Sequence, residues 1–254
     1  MLPGAHLEVG DALRTFGGIN AVDHLSFAAD SGQVLGVIGP NGAGKTVLLN
    51  LICGVYPLEG GAIRLDGVRI DGSRPDAIAA KGVARTFQST EQFREFRAIE
   101  YVMLSRHMRQ VGSLLACIIR APAVRRSEEY ERKLALQALE RFELAPAADT
   151  RMSELPYGMQ KMVDIARAVA ASPRLLLLDE PTSGTTSVER QATSAVLEQV
   201  ARSRVTMLIV DHDVSFISAT TQRVLVMNYG RLLAEGTPAE VLTRPDVIEA
   251  YVGL

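Results

Sequence analysis

The chain is 254 residues long, 47% apolar and 22% charged, with a formal net charge of −2. That length serves one large α/β domain or two small ones, and the composition excludes disorder as the main state. The near-neutral charge, the absence of Trp and the 5% aromatic content leave neither the basic stripe of a nucleic-acid binder nor a broad base-stacking surface.

Cys53 and Cys117 are isolated thiols with neither zinc-ligand spacing nor a disulfide framework, which fits a reducing compartment. The start, MLPGAHLEVGD, lacks a basic residue followed by an apolar run, so no signal peptide is expected. No uncharged stretch reaches the roughly 20 apolar residues of a spanning helix. A repeat of about 20–50 residues is also absent, which excludes a solenoid.

Short apolar runs alternate with helical patterns, as in α/β folds. Leu25 to Ala28 and Val34 to Ile38 read as strands. Gly39 to Gly44 is a glycine-rich loop, and Val47 to Cys53 a buried helix closed by Gly54 at its C′ position. Gly60 to Asp66 reads as a strand ending in an Asp-Gly turn. Between about Ala98 and Ala171 strand patterning fades. Tyr130, Leu134, Ala138, Leu139 and Phe142 fall on one helical face, and Pro122 and Pro146 punctuate an all-helical insert. Strands resume at Arg174 to Leu178, Val205 to Val210 and Arg223 to Met227, with Val188 to Arg202 as a crossover helix between the first two.

Three stretches carry chemistry. The first, Gly39-Pro-Asn41-Gly42-Ala43-Gly44-Lys45-Thr46, follows a strand and opens a helix, as the P-loop pattern requires. Its glycines let successive N–H groups face one anion, and the helix N-terminus adds partial positive charge. Lys45 would reach the β- and γ-phosphates, and the Thr46 hydroxyl would ligate Mg²⁺. The second is Leu175-Leu-Leu-Leu178-Asp179-Glu180, an apolar strand ending in two carboxylates. In a parallel sheet that end faces the P-loop crevice, where Asp179 serves Mg²⁺ and Glu180 polarises the attacking water. The third, Leu155-Pro-Tyr-Gly-Met-Gln160, precedes a helical run and alone reads as a helix cap.

In this order the three stretches resemble the nucleotide-binding subunits of ABC transporters along essentially the whole chain. GPNGAGKT is similar to their Walker A, LLLLDE to Walker B and LPYGMQ to the signature. FGGINAVDHLSF, ARTFQ, LPYGMQKMVDIARA and the ending LLAEGTPAEVLTRPDVIEAYVGL narrow the likeness to the ATPase subunit of branched-chain amino acid importers. Alone, Gln88 and His212 read as surface polar residues, and for Phe16 an ordinary core phenylalanine is the alternative reading.

The resemblance implies a role for each: Gln88 as the Q-loop residue, acting in catalysis and on the metal, His212 as the switch histidine, and Phe16 as the platform for adenine. Val22, Ala43 and Val47 join the nucleotide-binding set. Gly158 serves a nucleotide across a dimer. The implied fold is a P-loop ABC ATPase core with an N-terminal antiparallel β subdomain. Residues 1–97 and 172–254 form the core and 98–171 the helical subdomain. The implied cofactors are ATP and Mg²⁺. The implied partners are a second ATPase subunit, transmembrane permease subunits and, indirectly, a solute-binding protein, with no nucleic acid, at the cytoplasmic face of the inner membrane. A urea or amide importer, a lipopolysaccharide exporter, a non-transport ABC ATPase and a non-catalytic cassette are the alternatives.

Three departures from the family pattern stand out. Pro156 and Tyr157 replace the Ser and first Gly of the usual signature, removing donors. Thr185 and Thr186 stand where Leu-Asp or a similar pair is usual. Val47 replaces a second Thr after Thr46.

Overall fold

A computed structural model of the chain describes residues 3–87, 89–106 and 122–252. Two sheets organise it. The first is antiparallel, in the order β2-β1-β4-β5, from β1 (Leu7–Phe16), β2 (Ile19–Ala29), β4 (Gly60–Leu65) and β5 (Val68–Arg69). Asp66 and Gly67 join β4 to β5 with φ of 51° and 75°. Both are left-handed, as a tight two-residue hairpin turn demands, so the Asp-Gly reading holds.

The second sheet has the order β10-β9-β3-β8-β7-β6. It comprises β3 (Val34–Ile38), β6 (Val83–Arg85), β7 (Leu175–Asp179), β8 (Thr206–Val210), β9 (Arg223–Asn228) and β10 (Arg231–Gly236). All pairs are parallel except β9–β10. The strands β3, β7 and β8 are buried along their whole length. That is why they read as continuous apolar runs and not as alternation.

Each face of this sheet belongs to a different core. Leu35, Val37, Leu177 and Val210 point into a cluster shared with the antiparallel sheet and helix α1 (Lys45–Ile52). Ile38, Leu176, Leu178 and Ile209 point the other way. Their cluster runs on through α3 (Ala98–Leu104), α4 (Pro122–Arg141) and α5 (Tyr157–Ala170). The helical segment therefore shares a core with the sheet. On α4 Ala135, Ala138 and Leu139 are buried, as is Phe142 just past its end, whereas Tyr130 is 61% exposed. The expected apolar face thus begins a turn later, because Tyr130 lies off the stripe that meets α5.

Between α2 (Pro75–Ala80) and β6 on one side and α3 and α5 on the other lies a cleft of about 820 Å³. The crossover helix α6 (Ser187–Arg202), then α7 (Val214–Thr220), α8 (Pro238–Val241) and α9 (Pro245–Val252) complete the order. Strands β1, β5, β6 and β10 carried no separate expectation. Among the described residues no helix is long and apolar enough to cross a membrane.

Candidate nucleotide site

Because β3, β6, β7 and β8 are parallel, their carboxyl ends open on one edge of the sheet. Ligands of open α/β sheets bind at that edge. It brings together Gly39 after β3, Thr86 after β6, Glu180 after β7, and Asp211 with His212 after β8.

The loop after β3 is shaped by backbone contact. Gly39 has φ 151°, and a Cβ there would lie 2.1 Å from the Met227 carbonyl oxygen. Gly44 has φ 96°, and its Cβ would meet the Ala21 carbonyl oxygen at 2.0 Å. Only glycine fits either place. Gly44 is the N-cap of α1, which begins at Lys45, two residues before the expected start. Its first turn carries no acid and no side-chain cap, so the leading N–H groups remain free for an anion. Gly54, at φ 70°, follows the C-cap Cys53, as expected.

The Lys45 ammonium is 7% exposed and donates to the carbonyls of Gly39 (2.6 Å) and Pro40 (2.9 Å). Burial pulls its pKa below the ordinary lysine value, while Glu180, Asp179 and Asp211 pull it back up. All three carboxylates stand at the same sheet edge as the loop, at the ends of β7 and β8. Asp179 is 1% exposed. Its Oδ2 pairs with Arg85 at 2.7 Å, and its N–H donates to the Thr86 hydroxyl at 3.1 Å. Its Oδ1 is buried with no hydrogen-bond partner. Glu180 holds a left-handed φ of 48°, fixed by its N–H donating to the Val210 carbonyl at 2.8 Å. Such strain in a non-glycine residue is typical of functional turns.

His212 is exposed, with Nδ1 3.6 Å from the Asp211 carboxylate. Asp211 itself is fully buried. It accepts from the N–H (3.1 Å) and hydroxyl (2.7 Å) of Thr182 and from the Asp213 N–H (3.0 Å). It therefore ties the turn after Glu180 to the turn that carries His212. Sequence reasoning passed over Asp211, although an acid closing a wholly apolar run was a usable signal.

Phe16 is 39% exposed at the end of β1, which overturns the core alternative for it. The Tyr56 ring meets it edge-on at 5.2 Å, and the Arg14 guanidinium lies 4.6 Å from its centroid. Val22 is a correction: it is 0% exposed in the core beneath the hairpin and offers no surface to a nucleotide. Ala43 is buried as well and can contribute only backbone, whereas Thr46 and Val47 are half-buried and Gly42 and Asn41 exposed. Gln88 and Cys117 lie outside the described residues.

The signature helix α5 starts at Tyr157, with Pro156 as an N-cap that makes no side-chain bond. A Cβ on Gly158 would fall 2.2 Å from the Glu189 carboxyl. Glu189 also accepts from the Thr186 N–H (2.8 Å) and hydroxyl (2.9 Å) in a capping box that opens α6. Bonds from the Thr186 N–H, the Thr186 hydroxyl and the Gly158 N–H lower its pKa. The Thr185 hydroxyl donates to the Thr182 carbonyl at 2.7 Å. The two threonines thus build this turn. The Tyr157 ring covers Gly184, and the Lys161 ammonium donates to the Glu180 carbonyl at 3.3 Å.

A magnesium ion fits this edge by the chemistry of its donors. Thr46 offers a hydroxyl and Asp179 a buried, unpartnered carboxylate oxygen. Among the described residues no three His, Cys, Asp or Glu side chains form a metal cage. Such a sparse set suits Mg²⁺, which keeps water and takes substrate phosphate oxygens.

Comparison with known proteins places these features in one family. The ABC transporter model matches residues 22–183, and the branched-chain amino acid ATP-binding cassette transporter model matches 231–253. The branched-chain amino acid transport ATP-binding protein BraF of Pseudomonas aeruginosa is 38% identical over 97% of each chain. LivG of Escherichia coli, of the same description, is 34% identical over 97% of each chain. The ADP conformation of an ATP-binding cassette of an ABC transporter superposes with a TM-score of 0.85 at 27% identity, over 98% of this chain and 99% of that one. A dimeric bacterial ABC transporter cassette shares the fold, with a TM-score of 0.77 over 91% of this chain and 98% of that one. The chain belongs to the ABC transporter family, in the branched-chain amino acid group of its ATP-binding cassettes.

Proposed function

We propose that this chain is the ATP-hydrolysing subunit of an importer for branched-chain amino acids or a similar small solute. The observation that carries the reading is the meeting of Lys45, Asp179, Glu180 and Asp211 at one sheet edge, beneath a loop that only glycine can form. The solute assignment is supported by the likeness of the whole chain to BraF and LivG.

Phe16 receives adenine. The N–H groups from Asn41 to Thr46, with the Lys45 ammonium, hold the phosphates. Thr46 and Asp179 hold Mg²⁺, with Gln88 as a further contributor on its sequence match. When bound, that ion offsets charge on the β- and γ-phosphate oxygens. Glu180 orients the attacking water and takes its proton, and His212 contacts the γ-phosphate.

Gly158 and the N-terminus of α5 serve the nucleotide of a second cassette, so that ATP becomes part of the interface and hydrolysis releases it. Residues 98–171 act as the helical unit that meets the permease. The cleft lined by Val55, Ile78, Val83, Phe87 and Leu104 receives a cytoplasmic segment of that partner. The working position is therefore the inner face of the cell membrane.

The test is Glu180→Gln, which keeps shape but removes the charge that orients water. ATP binding should persist while hydrolysis falls by roughly 10²-fold or more. Equal hydrolysis by mutant and parent would reject the assignment.

A further inference from the structure

One buried chain of polar contacts is absent from the mechanism above. It starts at the metal edge. Asp179 Oδ2 accepts from Arg85 Nη2 at 2.7 Å, and Arg85 Nη1 donates to Asn50 Oδ1 on α1 at 2.5 Å. The Arg85 carbonyl then accepts from Arg167 Nη2 at 2.6 Å. Arg167 Nε donates to Asp164 Oδ1 at 2.7 Å, and Asp164 Oδ2 accepts from the Phe87 N–H at 2.6 Å. Tyr101 donates its hydroxyl to Asp164 at 2.7 Å. Arg167 also lies over the Phe87 ring, 4.2 Å from its centroid.

We propose that Arg85, Arg167 and Asp164 are positioning residues that couple the metal edge of this chain's nucleotide site, through Asp179, to its signature helix. The inference rests on the nucleotide reading above and deepens it.

Three features favour a coupling device over plain packing. First, Arg85 touches the strand of Asp179, the helix that follows the phosphate loop and, by its carbonyl, the signature helix. Second, Arg85 is the last residue of a three-residue edge strand paired to β7 on one side, and Thr86 and Phe87 lead away from it. Few ladder bonds hold it, so the side-chain contacts set its place. Third, Asp179 Oδ1 lacks a partner while Oδ2 is held by Arg85. A cation drawn to Oδ1 shares the carboxylate with Arg85, and any shift of that carboxylate pulls on Arg85 and so on Arg167. Asp164 and Arg167 are 1% and 8% exposed and the Arg85 side chain 17%, so solvent screens the pull only weakly. Linkage then requires the reverse effect: disturbing the signature helix must alter how Mg²⁺ assists ATP binding.

The test uses the full chain with ATP, in EDTA or with Mg²⁺. Amide hydrogen exchange is followed over residues 157–170, and ATP affinity is measured in both buffers. In the parent chain, adding Mg²⁺ to the ATP complex should slow exchange along the signature helix on the order of tenfold. Arg167→Lys keeps the charge but loses the fork and the stacking. It should bind ATP in EDTA within about twofold of the parent, yet lose the Mg²⁺-dependent protection of 157–170.

Arg85→Lys should reduce the ratio of ATP affinities with and without Mg²⁺ on the order of tenfold, and Asp164→Asn should follow Arg167→Lys. The melting temperature of each variant shows that it is folded, and any one folded variant suffices. Mg²⁺-dependent protection that is missing in the parent, or that survives in the variants, overturns the coupling. Failure of the parent to bind ATP in either buffer overturns the nucleotide reading, and the coupling with it.

Discussion

The two glycine-approached helix starts of this chain differ in what occupies them. At the phosphate loop, α1 begins after Gly44 with no acid in its first turn, and the Lys45 ammonium turns back to the loop carbonyls. At the signature, α5 begins after Pro156, and the space beside Gly158 is taken by the Glu189 carboxyl. Both are helix N-termini with a partial positive charge. One is built to receive an anion from solution, whereas the other already holds one of its own. Motif spelling is thus a statement about backbone space at the first and an incomplete one at the second. There the deciding residue lies on another helix.

The largest effects should come from filling the phosphate loop. Gly44→Ala places a methyl group against the Ala21 carbonyl and keeps a left-handed φ. Backbone strain alone costs about 1–3 kcal/mol, and the overlap adds to it. ATP binding should be lost and the urea midpoint should fall. Gly42→Ala is the control, since its φ is 80° but nothing lies within 4 Å of the added carbon. Its cost should be about 1 kcal/mol. Equal losses for the two variants would show that contact with Ala21 does not shape the loop.

The same contrast explains what was legible in the sequence. The walls of the site are the wholly buried strands β3, β7 and β8, and each was readable as an apolar run ending at a functional residue. Asp179 and Glu180 follow from that pattern, whereas His212 was legible only through the family resemblance and Asp211, which closes the β8 run, went unread. The edge strand β6 is three residues long and carries no period, so Arg85 escaped notice. The partnership of Arg85 with Asp179 spans 94 residues, and that of Asp164 with the Phe87 N–H spans 77. Local pattern contains neither. Val22 was misplaced because a hairpin residue near the loop in sequence turns its side chain into the core.

Next in size is the adenine platform. Phe16 is braced by Tyr56 at its edge and by Arg14 over its ring. Phe16→Ala should weaken ATP binding by about 1–3 kcal/mol, the range for one stacked base. Pyrophosphate binding should stay unchanged. A parallel loss for both ligands in calorimetric titrations would assign Phe16 to structure alone.

A smaller effect should follow from removing the resident charge at the signature. Glu189→Gln keeps the capping box with Thr186, because Gln serves that position as well as Glu. It removes a negative charge from the place where the γ-phosphate of the partner cassette would arrive. Half-maximal pairing of the cassettes should then need less ATP, with the melting temperature almost unchanged. A rise in the ATP requirement would mean that the carboxylate assists closure instead of opposing it.

The smallest effect concerns Pro156. A serine at this N-cap could accept from the N–H groups of the first turn, worth about 0.5–2 kcal/mol. Replacing proline also frees the unfolded chain, which costs about 0.4–1 kcal/mol where proline fits, and φ here is −52°. The two terms nearly cancel, and Glu189 already serves the Gly158 N–H, so Pro156→Ser alone should barely move the urea midpoint. In a Glu189→Ala background that N–H has lost its acceptor, and the same substitution should then stabilise the chain measurably. The difference between backgrounds isolates the shared group, because residues that compete for one donor are not additive. Identical shifts in both backgrounds would show that Glu189 and residue 156 do not act on the same helix end.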